Sequence, residues 1–336
     1  MAFQDTNLVE TVAKPEASYD ASPAAGSVAN GRVHRIVKDG LKRKGEMRRS
    51  KVITATRARA PMAQTYVSSE GTIMSEFMGG EWDNYIAALL GAALPGSLTS
   101  GDEFFKNAYG STAEVLTSFV IERNYKTAGV KHAFRGLEVD EIVITFKSKE
   151  YAEIEIKFMG AHCAQASTSV FASGSKLGAL VSPSVKCGVE VTSIRIADTL
   201  GDLAELSATV EELKVTLKTN LRERPFLRGD STKQHGRGEI GATIAIKAYF
   251  DATAASIVGG YYNTPDASFA LDFSILADPF TYRFEFPRVQ IQDAQADVGG
   301  VNADVISDIV FETCSYNEAQ IDAPAGYEIG VERLEN

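Results

Sequence analysis

The chain has few cysteines, no long hydrophobic run and no excess of positive charge. Its three cysteines, Cys163, Cys187 and Cys314, are odd in number and far apart, which argues against a disulfide framework or a paired-cysteine metal site. The longest apolar run, from Tyr85 to Pro95, falls well short of the roughly 20 residues that a membrane-spanning helix needs. A net charge of −10 argues against a protein that grips a nucleic-acid backbone, because such binding depends on clustered Lys and Arg.

Length and composition are those of a globular protein with two domains. The 336 residues exceed the usual size of one hydrophobic core. With 44% apolar and 23% charged residues, most of the chain can bury a core. The first residues include Asp5 and Glu10 and lack the apolar stretch of a signal peptide, so we expect synthesis in the cytoplasm and no membrane association.

Positive charge is concentrated near the N-terminus. Residues 31–51 contain nine basic and two acidic residues, which leaves 25 basic and 42 acidic residues elsewhere. The chain therefore has a positive segment, here called the basic collar, ahead of a negative body. The collar residues are Arg32, Arg35, Lys38, Lys42, Arg43, Lys44, Arg48, Arg49 and Lys51.

Alternating apolar residues predict a mainly β protein. Ile142, Ile144 and Phe146 alternate with polar or smaller residues, as in half-buried strands. The same alternation recurs at residues 154–158, 242–248, 284–286 and 289–291. Residues 1–30 lack any such period and are rich in Ala, Ser, Asn and Gly, so we expect an extended or disordered arm there.

One helix is predicted in each half. The first begins at Asp83 and ends at Gly91, because apolar residues fall on one helical face and Pro95 prevents continuation. Its apolar face comprises Trp82, Tyr85, Ile86, Leu89 and Leu90. The second begins at Asp251 and is predicted to stop at Gly259 and Gly260.

The predicted elements follow the same order in both halves, β-β-α-β-β-β. Each helix is followed by a strand with a Ser-Phe pair and by a strand that starts at an aromatic residue; these are Ser118-Phe119 and Phe134, then Ser268-Phe269 and Phe284. A tandem duplication explains this order, and chance similarity between two β domains is the alternative. The predicted boundaries are 1–48 for the arm with the basic collar, 49–163 for the first β domain, 164–188 for a linker, 189–320 for the second β domain and 321–336 for a C-terminal tail.

Two strings that match catalytic motifs are better explained by structure. Residues 236–241 match G-x-G-x-x-G but precede a strand, so they lack the helix N-terminus that binds pyrophosphate. Residues 173–176 spell S-x-x-K inside a linker rich in Ser and Gly, which cannot hold the Lys amine beside the hydroxyl. Neither string predicts an enzyme.

Two pairs of neighbouring titratable residues do not predict a metal site or a catalytic site either. His162 and Cys163 are adjacent, and adjacent side chains of a strand point to opposite faces. Glu153 and Glu155 share one strand face, which fits a solvated surface better than a pair of catalytic acids. We therefore predict no catalytic residue, no cofactor and no metal site.

Three strand motifs resemble those of phage tail tube proteins. They are the S-F-x-x-E-R string at residues 118–123, the F-x-G-x-x-V string at 134–139 and the closing F-x-G at 158–160. Their order and spacing carry the resemblance, which covers residues 48–320. The segment from Leu200 to Leu206 departs from the pattern and leaves the start of the second copy open.

The resemblance implies a β-sandwich or partial β-barrel with one flanking helix per domain, a structural protein of the virion tail that is assembled in the bacterial cytoplasm. Six such domains form a ring in the family, so two domains per chain imply a trimeric ring of pseudo-sixfold symmetry, and one domain implies a hexamer. The implied partners are further copies of the chain, a tape measure protein and tail terminator or tip proteins, while DNA passes through the lumen without specific binding. The alternative is a soluble β-rich binding module or a capsid decoration protein.

The basic collar is the predicted assembly element. Its candidate residues are Arg32, Arg35, Lys38, Lys42, Arg43, Lys44, Arg48 and Arg49. Stacked acidic rings repel one another, and a basic segment on each ring offsets this repulsion when it meets the acidic body of the next. The alternative is a solvated run of charge on a loop.

Overall fold

The computed structural model describes residues 5, 8–52, 59, 61–108, 115–227, 229–298, 304–314 and 327–336. The first half contributes β1 (Val9–Pro15), β2 (Arg32–His34), β3 (Lys38–Asp39), β4 (Lys42–Arg49), β5 (Met62–Glu76), β6 (Glu103–Ala108), β7 (Phe119–Tyr125), β8 (Val130–Lys147), β9 (Glu153–Gly160) and β10 (His162–Ala166). The second half contributes β11 (Val191–Ala197), β12 (Ala204–Glu205), β13 (Val210–Lys218), β14 (Gly241–Tyr249), β15 (Ser268–Ala277), β16 (Phe280–Val298), β17 (Val305–Thr313) and β18 (Tyr327–Glu335). The helices are α1 (Asp83–Leu90), α2 (Cys187–Glu190) and α3 (Ala252–Asn263), with a short 3-10 turn at Leu200–Asp202.

The two halves pair their strands in the same order. In the first half β4, β5, β9, β8, β7 and β1 lie side by side, all antiparallel. In the second half the order is β13, β14, β17, β16, β15 and β11. β10 and β18 add to the first parts of β8 and β16 in the same way. The mainly β fold is thus confirmed. The pairing order repeats between the halves, although β6 follows α1 in the first half without a counterpart after α3.

β8 and β16 are the long strands that organise each half. Each pairs first with the preceding strand and then with the following one. A bulge lies within the second pairing, between Val139 and Glu141 in β8 and between Ile291 and Asp293 in β16. A bulge bends a strand and lets it serve two parts of a sheet. When the two halves are aligned by their bulges, Phe134 corresponds to Phe286 and not to Phe284. The correspondence of Phe134 with Phe284 that the sequence predicted is therefore wrong.

The segment expected to be an arm takes part in the sheet. β1 pairs with β7 over its whole length, and Val12 is fully buried. Val28 forms a bridge to Phe171 of the linker, and Val12, Val120 and Phe171 form a small second core. β3 and β4 occupy in the first half the place that β13 occupies in the second. The domain boundaries themselves stay a prediction, and the one at residue 320 lies outside the described residues.

α1 matches its predicted limits and α3 does not. α1 begins at Asp83, and Gly91 ends it in the left-handed conformation, with a φ of 68°. α3 starts after Asp251, whose carboxylate accepts a hydrogen bond from the Ala254 amide at 2.8 Å. It then passes through the two predicted stop glycines to Asn263, because glycine inside a helix costs only about 1 kcal/mol and does not block it.

Candidate assembly surface

The two halves join through their sheets within one chain. The second part of β8 has one edge against β9, and its other edge pairs with β13. In this register Val215 lies opposite Ile144 and Lys218 opposite Glu141. The result is one continuous sheet that runs from β4 through β5, β9, β8, β13, β14 and β17 to β16.

One face of this joined sheet covers the core, and the other carries charges of both signs. On the open face Lys157 lies 2.7 Å from Asp140, and this hydrogen bond raises the pKa of the Lys157 amine. Lys218 lies 3.7 Å from Glu141 across the β8–β13 junction. Glu153 and Glu155 of β9 are exposed here, as a solvated strand face requires. The open face is therefore interspersed with opposite charges rather than uniformly acidic.

The last part of β16 is an open edge of this sheet. Residues 291–298 pair with β17 on one side only, within the described chain. The counterparts of Ala296 and Val298 in the first half are Ile144 and Phe146, which the β8–β13 junction buries. Val298 is 76% exposed, whereas Phe146 is 3% exposed. β16 thus presents, uncovered, the edge that β8 uses to join the two halves.

The β3–β4 strand is the opposite edge of the joined sheet. Lys38–Gly45 pairs with residues of β5, and no described strand lies on its other side. At this edge Arg123 of β7 donates to the Asp39 carboxylate, with Nε 2.9 Å from Oδ2, and to the Leu41 carbonyl at 2.9 Å. Arg123 also stacks 5.5 Å above the Phe134 ring. A buried ion pair therefore borders this edge.

The first two collar residues bind the chain's own linker. Arg32 donates to the Gly178 carbonyl at 3.3 Å, and Arg35 donates to the Ser182 carbonyl at 3.1 Å. These contacts separate both arginines from the rest of the collar. Their position alone gives no reason to place them in a contact with another chain.

The other six collar candidates lie together along the β3–β4 edge. Lys42 and Lys44 flank Glu70, with each amine 3.3 Å from a carboxylate oxygen. Arg48 lies 3.0 Å from Glu46 on the same strand. Exposed ion pairs of this kind contribute little to stability, so the basic side chains remain available for contacts with another chain. The exposed set is Lys38, Lys42, Arg43, Lys44, Arg48 and Arg49.

A second junction locks the halves together near α1. β18, the last strand, pairs with β6 of the first half. From β18 the fully buried Arg333 reaches the Asp83 carboxylate at 2.5 Å and the carbonyls of Ser97 and Gly101 at 2.9 Å each. Tyr282 donates to the other Asp83 oxygen at 2.6 Å. A charge network with several hydrogen bonds thus joins the two halves.

The strings that match catalytic motifs hold structural contacts instead. In the S-x-x-K string Lys176 pairs with Glu10 at 2.9 Å, while Ser173, its serine, lies exposed in a turn and not on a helix that would place the lysine amine beside it. Residues 236–240 lie in the connection between β13 and β14, and Gly241 begins β14, so a strand and not a helix follows the string. Neither string forms a catalytic arrangement.

Histidine and cysteine side chains serve packing and pairing. His162 lies between Asp20, at 2.7 Å from Nδ1, and Asp230, at 3.4 Å from Nε2. Burial raises the pKa of all three cysteine thiols, which keeps them protonated near neutral pH. No group of three or more His, Cys, Asp or Glu residues suited to a metal ion occurs in the described part of the chain. Among the same residues, no helix is long and apolar enough to span a membrane.

Sequence patterns missed the residues that border the open edges. The sequence patterns gave no role to Asp39, one of the two acidic residues within 31–51, and Arg123 is in them only as the last residue of the S-F-x-x-E-R motif. Glu122, the preceding letter, is fully buried and accepts hydrogen bonds from the Ser169 hydroxyl at 2.7 Å and the Val170 amide at 2.8 Å. The available signal was a charged pair directly after three consecutive apolar residues of a strand.

Comparison with known proteins gives one family match over nearly the whole chain. A family model described as phage tail tube protein matches residues 6–319. No curated protein matches the chain. Among solved structures, a chain from the tail of an empty GTA particle with C6 symmetry is 13% identical, with a TM-score of 0.27, and the match covers 37% of this chain and 91% of that one. A chain from the virion of a native gene transfer agent particle is 13% identical, with 37% and 92% covered and a TM-score of 0.26.

Proposed function

Because the chain belongs to the phage tail tube protein family, we propose that its copies join edge to edge into rings and that these rings stack into the tube through which DNA leaves the virion. The family gives the chain a structural role in the tail. The closed ring, its stacking and the passage of DNA are the finer steps of the proposal.

The observation that carries the ring is the junction already present inside the chain. β8 of the first half pairs with β13 of the second, and β16 and β4 are their counterparts at the two ends of the joined sheet. Repeating the same junction between chains would unite these ends and remove both open edges. Since each chain carries two repeats, three chains would give six repeats around a ring.

The open face of the joined sheet is the proposed channel wall. Positive side chains on this face lie beside carboxylates, as Lys218 does beside Glu141 and as Lys42 and Lys44 do beside Glu70, which reduces their attraction for phosphate groups. DNA would then pass along the wall without binding to it, because the release of counterions that drives DNA binding by basic proteins would be small. We further propose that the assembled tube lies in the virion tail, is built in the host cytoplasm and contacts tape measure and terminator or tip proteins at its ends.

Mass measurement and imaging of the purified full-length chain test the proposal. Size-exclusion chromatography with light scattering should detect a species of three times the 36.2 kDa chain mass, and negative-stain electron microscopy should show rings and stacked tubes at high concentration. A sample that stays monomeric and globular at all concentrations would favour the binding module or decoration protein.

A further inference from the structure

We propose that Arg123 and Asp39 form a latch that caps the β3–β4 edge of the free chain and opens when the β16 edge of a second copy docks there. This inference rests on the proposed ring assembly and adds its regulation. The latch is defined as the Arg123 guanidinium, the Asp39 carboxylate and the backbone groups of Asp39 and Leu41 that they bind.

The backbone direction identifies which groups the edge would offer to another strand. The Gly40 amide donates to the Thr72 carbonyl of β5 at 2.8 Å, so Gly40 faces inward along the sheet. Backbone groups alternate in direction along a strand, so those of Asp39 and Leu41 face the open side. In β13 the counterpart of Leu41 is Val215, which lies opposite Ile144 of β8.

The latch occupies these open groups within the chain. The Leu41 amide donates to Asp39 Oδ1 at 3.0 Å, and the Leu41 carbonyl accepts from Arg123 at 2.9 Å. Arg123 also donates to the Asp39 carbonyl at 3.4 Å. Both ends of the ion pair are largely buried, with 12% of the Arg123 side chain and 6% of the Asp39 side chain exposed. An edge whose donors and acceptors are taken cannot pair with another strand.

The second half lacks the latch at the corresponding positions. In the first half Asp39 lies opposite Ile73 of β5. In the second half Ile246 of β14 takes the place of Ile73, and the residue opposite it is Leu213 of β13. Ile121 of β7 and Leu271 of β15 are corresponding residues, because they pair with Phe134 and Phe286. Two residues further on, β7 has Arg123 and β15 has Phe273. That half has an apolar pair where the first half has a charged pair, and its β13 edge is already joined to β8.

Docking would replace the latch contacts with sheet hydrogen bonds. Applied between chains, the β8–β13 register places Leu41 opposite Ala296 and Lys44 opposite Asp293. The arriving strand then supplies the amide and carbonyl that Leu41 needs, and its Asp293 meets Lys44 of the basic β4. Arg123 must release the two carbonyls for this exchange, whereas its ion pair with the Asp39 carboxylate need not break.

The test converts the first half to the apolar pair of the second with the double variant Asp39→Leu with Arg123→Phe. The concentration at which rings form, followed by light scattering, should fall about tenfold or more, because the charged hydrogen bonds that hold the Leu41 amide and the Asp39 and Leu41 carbonyls no longer oppose docking, and the loss of even one is worth about tenfold. Hydrogen exchange of the Leu41 amide should speed up in the monomer. The control Lys126→Ala breaks an exposed pair with Glu10, 3.0 Å away, and should change neither measurement.

Thermal unfolding of the monomer first establishes that the double variant folds; if it does not, Asp39→Asn, which weakens the same contacts, takes its place. An unchanged or higher assembly concentration, with the parent still forming rings, would refute the latch and leave the proposed function intact. Absence of rings for parent and variant alike would instead refute the ring on which the latch depends.

Discussion

At the residue scale, Arg333 and Asp83 join the two halves where neither residue can reach water. Their 2.5 Å contact is supplemented by hydrogen bonds from Arg333 to backbone carbonyls and from Tyr282 to Asp83. A buried ion pair adds little net stability by itself, but each partner compensates the charge of the other, so removal of one leaves an uncompensated buried charge.

Replacing Arg333 by Ala should destabilise the chain strongly. The change leaves the Asp83 carboxylate buried without its cation, which typically costs about 3 to 5 kcal/mol. Denaturant unfolding followed by circular dichroism measures this cost. The control is Glu155→Ala, at an exposed position of β9, which should cost under about 1 kcal/mol. Equal losses for the two variants would contradict a special role for Arg333.

Leu89 tests the core face of α1. Its side chain is fully buried in the main core, so Leu89→Ala should cost roughly 2 to 5 kcal/mol through lost burial and the cavity left behind. The matched position in the other helix is Ile257, which is only partly buried, so Ile257→Ala should cost less. A melting temperature within a degree of the parent for Leu89→Ala would show that the helix face is misassigned.

His162 should make stability depend on pH. Its hydrogen bond to Asp20 raises the pKa of the imidazole above its ordinary value. A raised folded-state pKa means that protonation stabilises the fold, fully below the ordinary pKa near 6.5 and less as pH rises through the raised value. His162→Gln should therefore lose more stability at pH 5.5 than at pH 8.5. The same loss at both pH values, in urea unfolding, would contradict this.

At the element scale, local signals predicted some boundaries and failed where contacts between distant segments dominate. α1 has its apolar face, its Gly91 stop and its following proline in one short stretch, so its limits could be read from sequence. α3 continues past Gly259 and Gly260 because nothing after them opposes a helix until Pro265. β1 was missed because only Thr11, Val12 and Ala13 of its seven residues are buried, too few to show alternation.

The β4 segment of the collar should control assembly as a unit. Replacing Lys42, Arg43 and Lys44 together by Glu puts negative charge opposite Asp293 of β16 if copies meet within a ring, and opposite the acidic body of the next ring if they meet between rings. The monomer should stay folded, since all three side chains are exposed, while tubes give way to monomers or single rings. Negative-stain imaging at low ionic strength measures the change.

A control with the same charge change separates position from net charge. The exposed residues Lys126, Lys149 and Lys186 lie outside β3, β4 and β5, and replacing these three by Glu should leave tube length close to that of the parent. If tubes of the collar variant equal the parent's in length, the collar is only a solvated run of charge. Single rings without tubes would point to a contact between rings, and monomers to a contact within the ring.

At the scale of the whole molecule, the sequence predicted the class of fold and the repeat but not the surface that the repeat leaves open. Strand alternation reports which face is buried and says nothing about which edge is paired. That Val298 is exposed while its counterpart Phe146 is buried follows from β13 lying beside β8, although the two strands are far apart in sequence. The latch at Asp39 and Arg123 was hidden for the same reason, because 84 residues separate its partners.

The central claim is that β4 of one copy pairs with β16 of the next in the register of the internal junction. In that register Lys44 would lie opposite Asp293 in a non-hydrogen-bonded pair of the antiparallel ladder. The Cα atoms of such a pair are about 4.5 Å apart, so two cysteines at these positions can form a disulfide. The double variant Lys44→Cys with Asp293→Cys tests this under mild oxidation. The mismatched control, Lys44→Cys with Asp297→Cys, moves the second cysteine four residues along β16.

Non-reducing denaturing electrophoresis of the oxidised ring is the most direct measurement. We predict covalent dimers and trimers, with nothing larger, for the matched double variant, and monomers for each single variant and for the mismatched control. A ladder that extends to six chains would contradict the three-chain ring. The absence of any cross-link in the matched variant, under conditions where rings are seen by microscopy, would contradict the β4–β16 junction itself.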